Sequence, residues 1–177
     1  RDDLEIILVD DHSARTWAPA RRFSHARVRR TRNPASRRYA GAARNTGVEM
    51  SRGRYLLFAD SDDLFCENAL ARVLDAVSAG TGTADLWCFA TTSFAHGQDD
   101  GRARRHEYGQ RVLRQAQEGG DVQVLARLYP PYGKVVSTAF VREHRVAFSP
   151  TRVANDAVFA ARLALAMPRT VFLDDCA

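Results

Sequence analysis

YLLFADSDD, residues 55–63, joins a short apolar run to a tip that carries three aspartates. A brief apolar run bounded by polar residues is typical of a strand that is buried on both faces of an α/β sheet. The carboxylates of Asp60, Asp62 and Asp63 follow with no basic residue among them. Because like charges repel, this tip indicates either caps for the next helix, with Asp63 the first candidate, or a site for a cation.

LEIILVDD, residues 4–11, has the same form near the start of the chain. Its β-branched run predicts a strand over residues 4–9 that ends in Asp10 and Asp11. Ligands of open α/β sheets bind beyond the carboxyl ends of the strands. If the two strands are parallel, both acidic tips lie at one edge and form one site. Mg²⁺ or Mn²⁺ held together with a nucleotide diphosphate explains such carboxylates better than a cage made of protein alone.

The remaining chain alternates between strand-like and helix-like segments, which predicts an α/β sandwich with a mostly parallel sheet. We expect one domain over residues 1–177. The predicted helices cover residues 36–50, 68–77, 121–128 and 155–166, and the further strands lie within 26–31, 81–90, 134–141 and 170–175. The polar stretch HGQDDGRARRHEYGQ, residues 96–110, is predicted to be a surface loop.

The net charge of +5 comes almost entirely from arginine, since Lys134 is the only lysine. The densest arginine cluster spans residues 21–38 and has one aromatic residue. A solvated basic face is the first interpretation, a patch that attracts phosphate or a membrane surface is the second, and a nucleic-acid-binding module is a distant third.

Cysteine spacing and hydropathy exclude several classes of protein. The three cysteines are odd in number and far apart, which fits neither a disulfide framework nor a zinc site. No run approaches the roughly 18 apolar residues that span a bilayer. We therefore expect a cytoplasmic protein, with peripheral contact at the inner face of the membrane as a further prediction.

Two blocks, LEIILVDDHS at residues 4–13 and GAARNTGVEMSRGRYLLFADSDDLFCENAL at 41–70, resemble the nucleotide-sugar-binding half of family-2 glycosyltransferases. This family has the GT-A fold, a Rossmann-like α/β/α sandwich. The resemblance implies Mn²⁺ or Mg²⁺ at Asp60 and Asp62. It also implies that nucleotide contacts come from Asp10, Asp11, Arg44, Asn45 and Asp60, with Asp11 at the base. For Asn45 and Gly47, close helix packing is the alternative.

A third block, GKVVSTAFVREHRVAFSPTRVANDAVFAARLA at residues 133–164, is similar to the family segment that ends in a Glu-Asp pair. The aspartate of that pair is the general base of inverting enzymes, and Asp156 matches it, while Asn155 stands where the glutamate is usual. A carboxylate at this place takes the proton of the attacking acceptor hydroxyl. The alternative for Asp156 is a helix cap.

The resemblance implies metal-dependent, inverting transfer of a sugar from a UDP-linked donor to a hydroxyl of a glycan or lipid-linked intermediate, as in cell-envelope polysaccharide synthesis. Family members usually open with a strand and loop ahead of the VDD strand, so the first strand is expected to be missing here. The domain is accordingly predicted to be incomplete at both ends. The alternative function is a degenerate relative that binds nucleotide sugar without transfer.

Overall fold

The computed structural model describes residues 3–14, 27–80, 84–91, 104–119 and 122–173. Along these ranges one or two helices separate successive strands, except that no described helix lies between β1 and β2. The strands are β1 (Ile6–Asp10), β2 (Val28–Arg32), β3 (Tyr55–Leu57), β4 (Leu86–Phe89), β5 (Lys134–Ser137) and β6 (Thr170–Leu173). The helices are α1 (Tyr39–Met50), α2 (Ala69–Ala79), α3 (Arg104–Gln117), α4 (Val122–Arg127), α5 (Thr138–Glu143) and α6 (Asn155–Leu165).

The strands are arranged in two sheets. β1 and β2 pair in parallel, from Ile6 opposite Val28 to Asp10 opposite Arg32. The other sheet has the order β3-β5-β4-β6, in which β5 runs antiparallel to both neighbours and β4 runs parallel to β6. The predicted α/β architecture is confirmed, but the larger sheet is mixed. An apolar run such as KVVS predicts a buried strand but not its direction. Successive side chains point to opposite faces of the sheet in parallel and antiparallel strands alike.

Alternate residues of the central strands face two separate cores. Trp87 and Val135 pack on one face of the sheet with Val73 and Val77 of α2. On the other face, Leu86, Cys88 and Val136 pack with α6 and the segment before it, including Phe148, Phe159 and Leu163. Helices therefore cover both faces of the larger sheet, as the sandwich prediction requires.

Aromatic side chains fill the second core. The rings of Phe148 and Phe159 stack with centroids 4.0 Å apart, and Phe58 meets both edge-on at 5.1 and 5.7 Å. Phe58 lies two residues before Asp60, and Phe159 lies three after Asp156. This cluster thus supports the end of β3 and the start of α6 from the same core.

Two segments differ from their predicted secondary structure. Residues 104–110 of the predicted loop begin helix α3, which buries Val112, Leu113 and Ala116, while residues 96–103 lie outside the described residues. The predicted strand over 134–141 ends at Ser137, whose hydroxyl accepts a hydrogen bond from the Phe140 N–H and caps α5. A side-chain cap of this kind begins a helix even within an apolar run.

In the part of the chain that the structure describes, no helix has the length and apolar character needed to cross a membrane. Residues 21–26 of the arginine cluster and the predicted strand residues 174–175 lie outside that part.

Candidate active site

Asp10 and Asp11 lie at the end of β1 but have different surroundings. Asp10 is 5% exposed, accepts a hydrogen bond from the Ser13 N–H at 3.0 Å and pairs with Arg32 at 3.1 Å. The hydrogen bonds from Ser13, with the charge of Arg32, hold the pKa of Asp10 below its ordinary value. Asp11 is half-buried and accepts from the Asn33 amide at 3.0 Å. Asp10 thus fixes the loop after β1, whereas Asp11 is the more accessible of the two.

Asp60 and Asp63 close a tight turn after β3. The Asp63 N–H donates to the Asp60 carbonyl at 3.1 Å, and the Asp60 N–H donates to the Asp63 carboxylate at 3.2 Å. The predicted helix-capping role of Asp63 is wrong, because α2 begins at Ala69 after Asn68. Burial and the charges of Asp60 and Asp62 raise the pKa of Asp63. Asp62 is exposed at the apex, where its carboxylate is open to a ligand.

Arg44 of α1 connects this turn to the start of α6. One guanidinium nitrogen donates to the Asp60 carboxylate at 2.5 Å, and the other donates to the Asn155 side-chain oxygen at 2.7 Å. The guanidinium also lies over the Phe148 ring, 5.4 Å from its centroid. One side chain therefore joins Asp60, one of the two predicted metal ligands, to the residue next to the predicted base.

The side-chain amide of Asn45 forms two hydrogen bonds with the backbone of Phe148. Its nitrogen donates to the Phe148 carbonyl, and its oxygen accepts from the Phe148 N–H, each at 2.9 Å. This geometry favours the helix-packing alternative for Asn45, and its nucleotide contact stays a prediction. At Gly47 an added Cβ would lie 3.8 Å from Val9, which is ordinary van der Waals contact, so close packing does not require a glycine there.

Gly41 is a position of close packing that sequence reasoning missed. A Cβ there would lie 2.1 Å from the Ser149 carbonyl oxygen and 2.9 Å from the Asn155 Cβ. The start of α1 thus rests directly on the segment that leads into α6. In the sequence, only the run of small residues GAA at 41–43 indicated this close contact. A helix-helix contact and a chance cluster of small residues look alike in sequence.

Asp156 is half-buried in the first turn of α6. Its carboxylate accepts a hydrogen bond from the Ala157 N–H at 3.0 Å, which satisfies one of the free N–H groups of the helix start. The residue before the helix, Ala154, has φ 56° and provides no side-chain cap. Asp156 therefore has a local helix contact, as the capping alternative expects, at the same end of the fold as the Arg44 bridge.

Asp11 and Asp60 follow strands of two different sheets, β1 and β3, so the two acidic tips do not share one sheet edge as predicted. Residues of helix α1 nevertheless link to both tips. On the β1–β2 side, the Thr46 hydroxyl donates to the Asn33 side-chain oxygen at 2.8 Å, and Asn33 in turn holds Asp11. On the other side, Arg44 holds Asp60 and Asn155. The structure thus places the predicted site residues around one helix, with Asn45 pointing its amide at the backbone of Phe148.

Comparison with known proteins places this chain in a family. The model of glycosyl transferase family 2 matches residues 1–138. Poly(ribitol-phosphate) beta-N-acetylglucosaminyltransferase TarP of Staphylococcus aureus (strain N315) is 38% identical over 71 residues, which make up 38% of this chain and 21% of TarP.

Solved structures of S. aureus TarS share the fold. TarS 1–349 superposes with a TM-score of 0.74 at 17% identity, over 98% of this chain and 50% of that chain. TarS 1–349 in complex with UDP-GlcNAc superposes with a TM-score of 0.73, over 98% of this chain and 48% of that chain. The chain therefore spans about half the length of these TarS structures and about a fifth of TarP. The family match covers more than three quarters of the 177 residues, so the chain belongs to glycosyl transferase family 2.

Proposed function

We propose that this chain carries the donor site and the general base of a glycosyltransferase that moves a sugar from a UDP-sugar to an acceptor hydroxyl with inversion. The observation that carries the proposal is the Arg44 bridge, which joins Asp60 to Asn155, the neighbour of Asp156. TarS has been crystallised with UDP and with UDP-GlcNAc, which favours a uridine nucleotide as the donor group here.

The donor half of the proposed site combines Asp11 with the Asp60–Asp63 turn. Asp11 is the candidate for the nucleotide base, and Asp60 for the ribose and the metal. Mg²⁺ usually takes one or two protein carboxylates and completes its shell with waters and phosphate oxygens. Exposed Asp62 and the partly exposed Asp60 fit that pattern, and none of the described residues forms a larger cluster of metal-binding side chains. When bound, the ion supplies positive charge that stabilises the departing diphosphate.

In the proposed transfer step, Asp156 is the general base for the acceptor hydroxyl. As the acceptor hydroxyl oxygen forms its bond to the anomeric carbon, Asp156 takes the hydroxyl proton, and the bond from that carbon to the nucleotide diphosphate breaks. The bonding electrons leave with the diphosphate oxygen. Attack from the face opposite the leaving group gives the inverted product.

We propose the class of acceptor from the name of the relative TarP and from the net charge of this chain. TarP is named for transfer to poly(ribitol-phosphate), a polyanion. The net charge of +5 on this chain attracts polyanions and the anionic surface of a membrane by the same long-range electrostatics. We therefore propose that the acceptor is a phosphate-containing glycan of the cell envelope. The enzyme would bind this glycan at the inner face of the membrane.

Calorimetric titration of UDP with and without Mn²⁺ tests the donor site. We expect binding that requires Mn²⁺ and that Asp62→Asn abolishes. Glu67→Gln is the matched control, because Glu67 is an exposed acid of the same loop and lies outside the proposed metal site. Binding that is independent of Mn²⁺, or equal loss in both variants, would contradict the metal assignment.

A degenerate relative that binds the donor without transfer is the second candidate. Asn155 in place of the usual glutamate favours it, because Arg44 then meets one carboxylate instead of two. Metal-dependent UDP binding without any transfer to phosphate-containing glycans would select this candidate.

A further inference from the structure

Asn33, the first residue after strand β2, has a buried polar side chain that is 3% exposed. Its N–H donates to the Asp10 carbonyl at 2.9 Å, which ties the segment after β2 to the end of β1. Its side-chain nitrogen donates to Oδ1 of Asp11 at 3.0 Å. Because the amide is buried and fixed at the backbone, this hydrogen bond restricts where the Asp11 carboxylate lies.

The orientation of the Asn33 amide follows from the groups behind it. Thr46 is 7% exposed, and its hydroxyl donates to the Asn33 side-chain oxygen at 2.8 Å. The same hydroxyl accepts a hydrogen bond from Arg37 at 3.3 Å. A guanidinium donates only, whereas a hydroxyl does both. Arg37 therefore turns the hydroxyl proton toward Asn33, and the amide presents its oxygen to Thr46 and its nitrogen to Asp11.

We call Arg37, Thr46 and Asn33 the amide relay. Its hydrogen bonds run in one direction, from Arg37 through Thr46 and Asn33 to Asp11. The outer end is fixed at the surface, where Arg37 also donates to the Glu49 carboxylate at 2.7 Å. Hydrogen bonds that follow one another in this way polarise and strengthen each other. The Asp11 carboxylate is thus held by an amide that is itself held in one orientation.

The relay occupies one oxygen of Asp11 and leaves the other to a ligand. Asp11 is half-buried, and its Oδ2 has no hydrogen-bond partner among the described residues. A carboxylate at neutral pH accepts hydrogen bonds and donates none. A ligand group that meets Oδ2 must therefore be a donor. Since the carboxylate is held in place, that donor must also lie at one position.

The two pyrimidine bases of nucleotides differ in where they carry a donor. Uracil has an N–H at ring nitrogen N3, whereas N3 of cytosine carries a lone pair and its donor is the exocyclic amino group. A carboxylate that is free to swing can accept from either donor. A carboxylate fixed opposite N3 accepts from uracil and repels the lone pair of cytosine. Fixing the carboxylate therefore converts a general acceptor into one that selects a base.

We propose that Asn33 and Thr46 are positioning residues that select the base of the donor nucleotide, because they hold Asp11 where it accepts the N3–H of uracil and disfavours cytosine. This inference rests on the proposed function for the place of Asp11 at the nucleotide base. Neither residue needs to touch the ligand, since both act through Asp11. Selection of this kind comes from the unfavourable contact with the wrong base as much as from the favourable one.

Calorimetric titration of UDP and of CDP, each with Mn²⁺ present, tests the selection. Thr46→Val removes the hydroxyl and should lower the ratio of UDP affinity to CDP affinity by roughly threefold to tenfold, the effect of one hydrogen bond on an equilibrium. Asn33→Ala should lower this ratio at least as far. Thr46→Ser keeps the hydroxyl and should keep the wild-type ratio.

Thr138→Val is the matched control for the loss of a buried hydroxyl. Thr138 is 3% exposed, and its hydroxyl donates to the Gly53 carbonyl at 2.7 Å, before the start of β3. Its loss should cost stability without changing the ratio of the two affinities. An equal fall of the ratio in Thr138→Val would show a merely structural effect and overturn the proposal, as would an unchanged ratio in both Thr46→Val and Asn33→Ala.

NMR of the asparagine side chains tests the relay without any nucleotide. In a ¹³C,¹⁵N-labelled chain, triple-resonance assignment identifies the side-chain amide signals of Asn33. These signals should move in Asp11→Asn, which replaces the acceptor of the amide, and in Thr46→Val. They should stay in place in Asp62→Asn, since the exposed Asp62 lies on another turn. Unmoved Asn33 signals in Asp11→Asn would overturn the relay.

The two experiments separate this proposal from the proposed function. Equal affinity of the wild type for UDP and CDP would overturn the selection and leave the donor site standing. Failure of the wild type to bind either nucleotide would contradict the proposed function and the selection with it, while the amide signals would still decide whether Asn33 holds Asp11. If Thr46→Val and Asn33→Ala do not fold, the wild-type ratio and the Asp11→Asn spectrum decide between these outcomes.

Discussion

Arg44 divides its donors between Asp60 and Asn155, which lie 16 and 111 residues after it in the chain. Its side chain is 15% exposed, and that of Asp60 is 33% exposed, so water screens the pair only in part. Asn155 accepts a hydrogen bond without a charge of its own, which leaves Asp60 as the carboxylate that balances the guanidinium. Asp60, a residue of the proposed donor site, is therefore the partner that Arg44 holds by charge.

Arg44→Gln should lower the free energy of unfolding by about 1–3 kcal/mol, the range for hydrogen bonds to charged groups left without a partner. Urea unfolding measures this change. Arg37→Gln is the matched control, because the Arg37–Glu49 pair is exposed and such pairs contribute about 1 kcal/mol or less. Equal effects of the two substitutions would show that the bridge to Asn155 adds nothing.

Asp156→Asn should reduce kcat by about 10²–10⁴-fold, the usual contribution of a general base, and leave the UDP affinity unchanged. The substituted amide keeps the hydrogen bond to the Ala157 N–H, so the helix start is preserved. Single-turnover transfer and UDP calorimetry on the same preparation separate the two quantities. Full transfer by this variant would mean that another group takes the proton.

At the scale of elements, the sequence predicted the positions of β1 and β3 because their apolar runs are short and end in acids. The expected burial of β1 on both faces is wrong, because Ile6 is 44% exposed and the next three residues are only half-buried. The sequence predicted α1, α2, α4 and α6 to within a few residues at most ends. Helix α3 was missed because 104–107 is a run of charged and polar residues, although Val112, Leu113 and Ala116 recur at helical spacing. Helix α5 was missed because its residues continue the apolar run of β5, and the Ser137 cap is one residue in that run.

The site was predicted less completely than the elements. The acids at strand ends were found because their position in the chain follows from the strands. The Arg44–Asn155 and Asn45–Phe148 contacts join residues more than 100 positions apart, and no local pattern records such pairs. The same holds for the burial of Lys134, which depends on the direction of β5 and on the Leu128 and Pro130 carbonyls that accept its hydrogen bonds.

Gly41→Ala and Gly47→Ala compare two glycines of one helix. Gly41→Ala should destabilise the protein by about 1–3 kcal/mol or more, because its Cβ would meet the fixed backbone of Ser149 at 2.1 Å. Gly47→Ala should be neutral or stabilise by up to about 1 kcal/mol, since alanine favours a helix and its Cβ has room. Thermal and urea unfolding measure both variants. A stable Gly41→Ala would show that α1 and the start of α6 pack less closely than these distances indicate.

At the scale of the whole molecule, two buried groups of the central sheet, Lys134 and Cys88, act on stability in opposite directions as pH rises. Burial lowers the pKa of Lys134 from 10.5 to about 8, so between these values the unfolded chain binds a proton that the folded chain has lost, and stability rises with pH. Burial raises the pKa of Cys88 from 9.0 to about 11, so the folded chain keeps a proton that the unfolded chain loses, and stability falls.

The net rise in stability should therefore occur between about pH 8 and 9, with the two effects opposing each other above that. One proton contributes at most about 1.4 kcal/mol per pH unit. Lys134→Met should lose the rise and keep the fall above pH 9. Urea unfolding of both proteins across this range gives the difference, and a wild type whose stability does not change relative to Lys134→Met would contradict the depressed pKa.

Helix α1 meets the later part of the chain through Gly41, Arg44 and Asn45, which lie on one helical face. The family match ends at residue 138, before the segment that these three residues contact. A chimera that joins this chain to a segment of another protein can therefore be built at this face of α1. A foreign segment after residue 138 would have to offer a close backbone to Gly41, an oxygen acceptor to Arg44 and a free peptide group to Asn45.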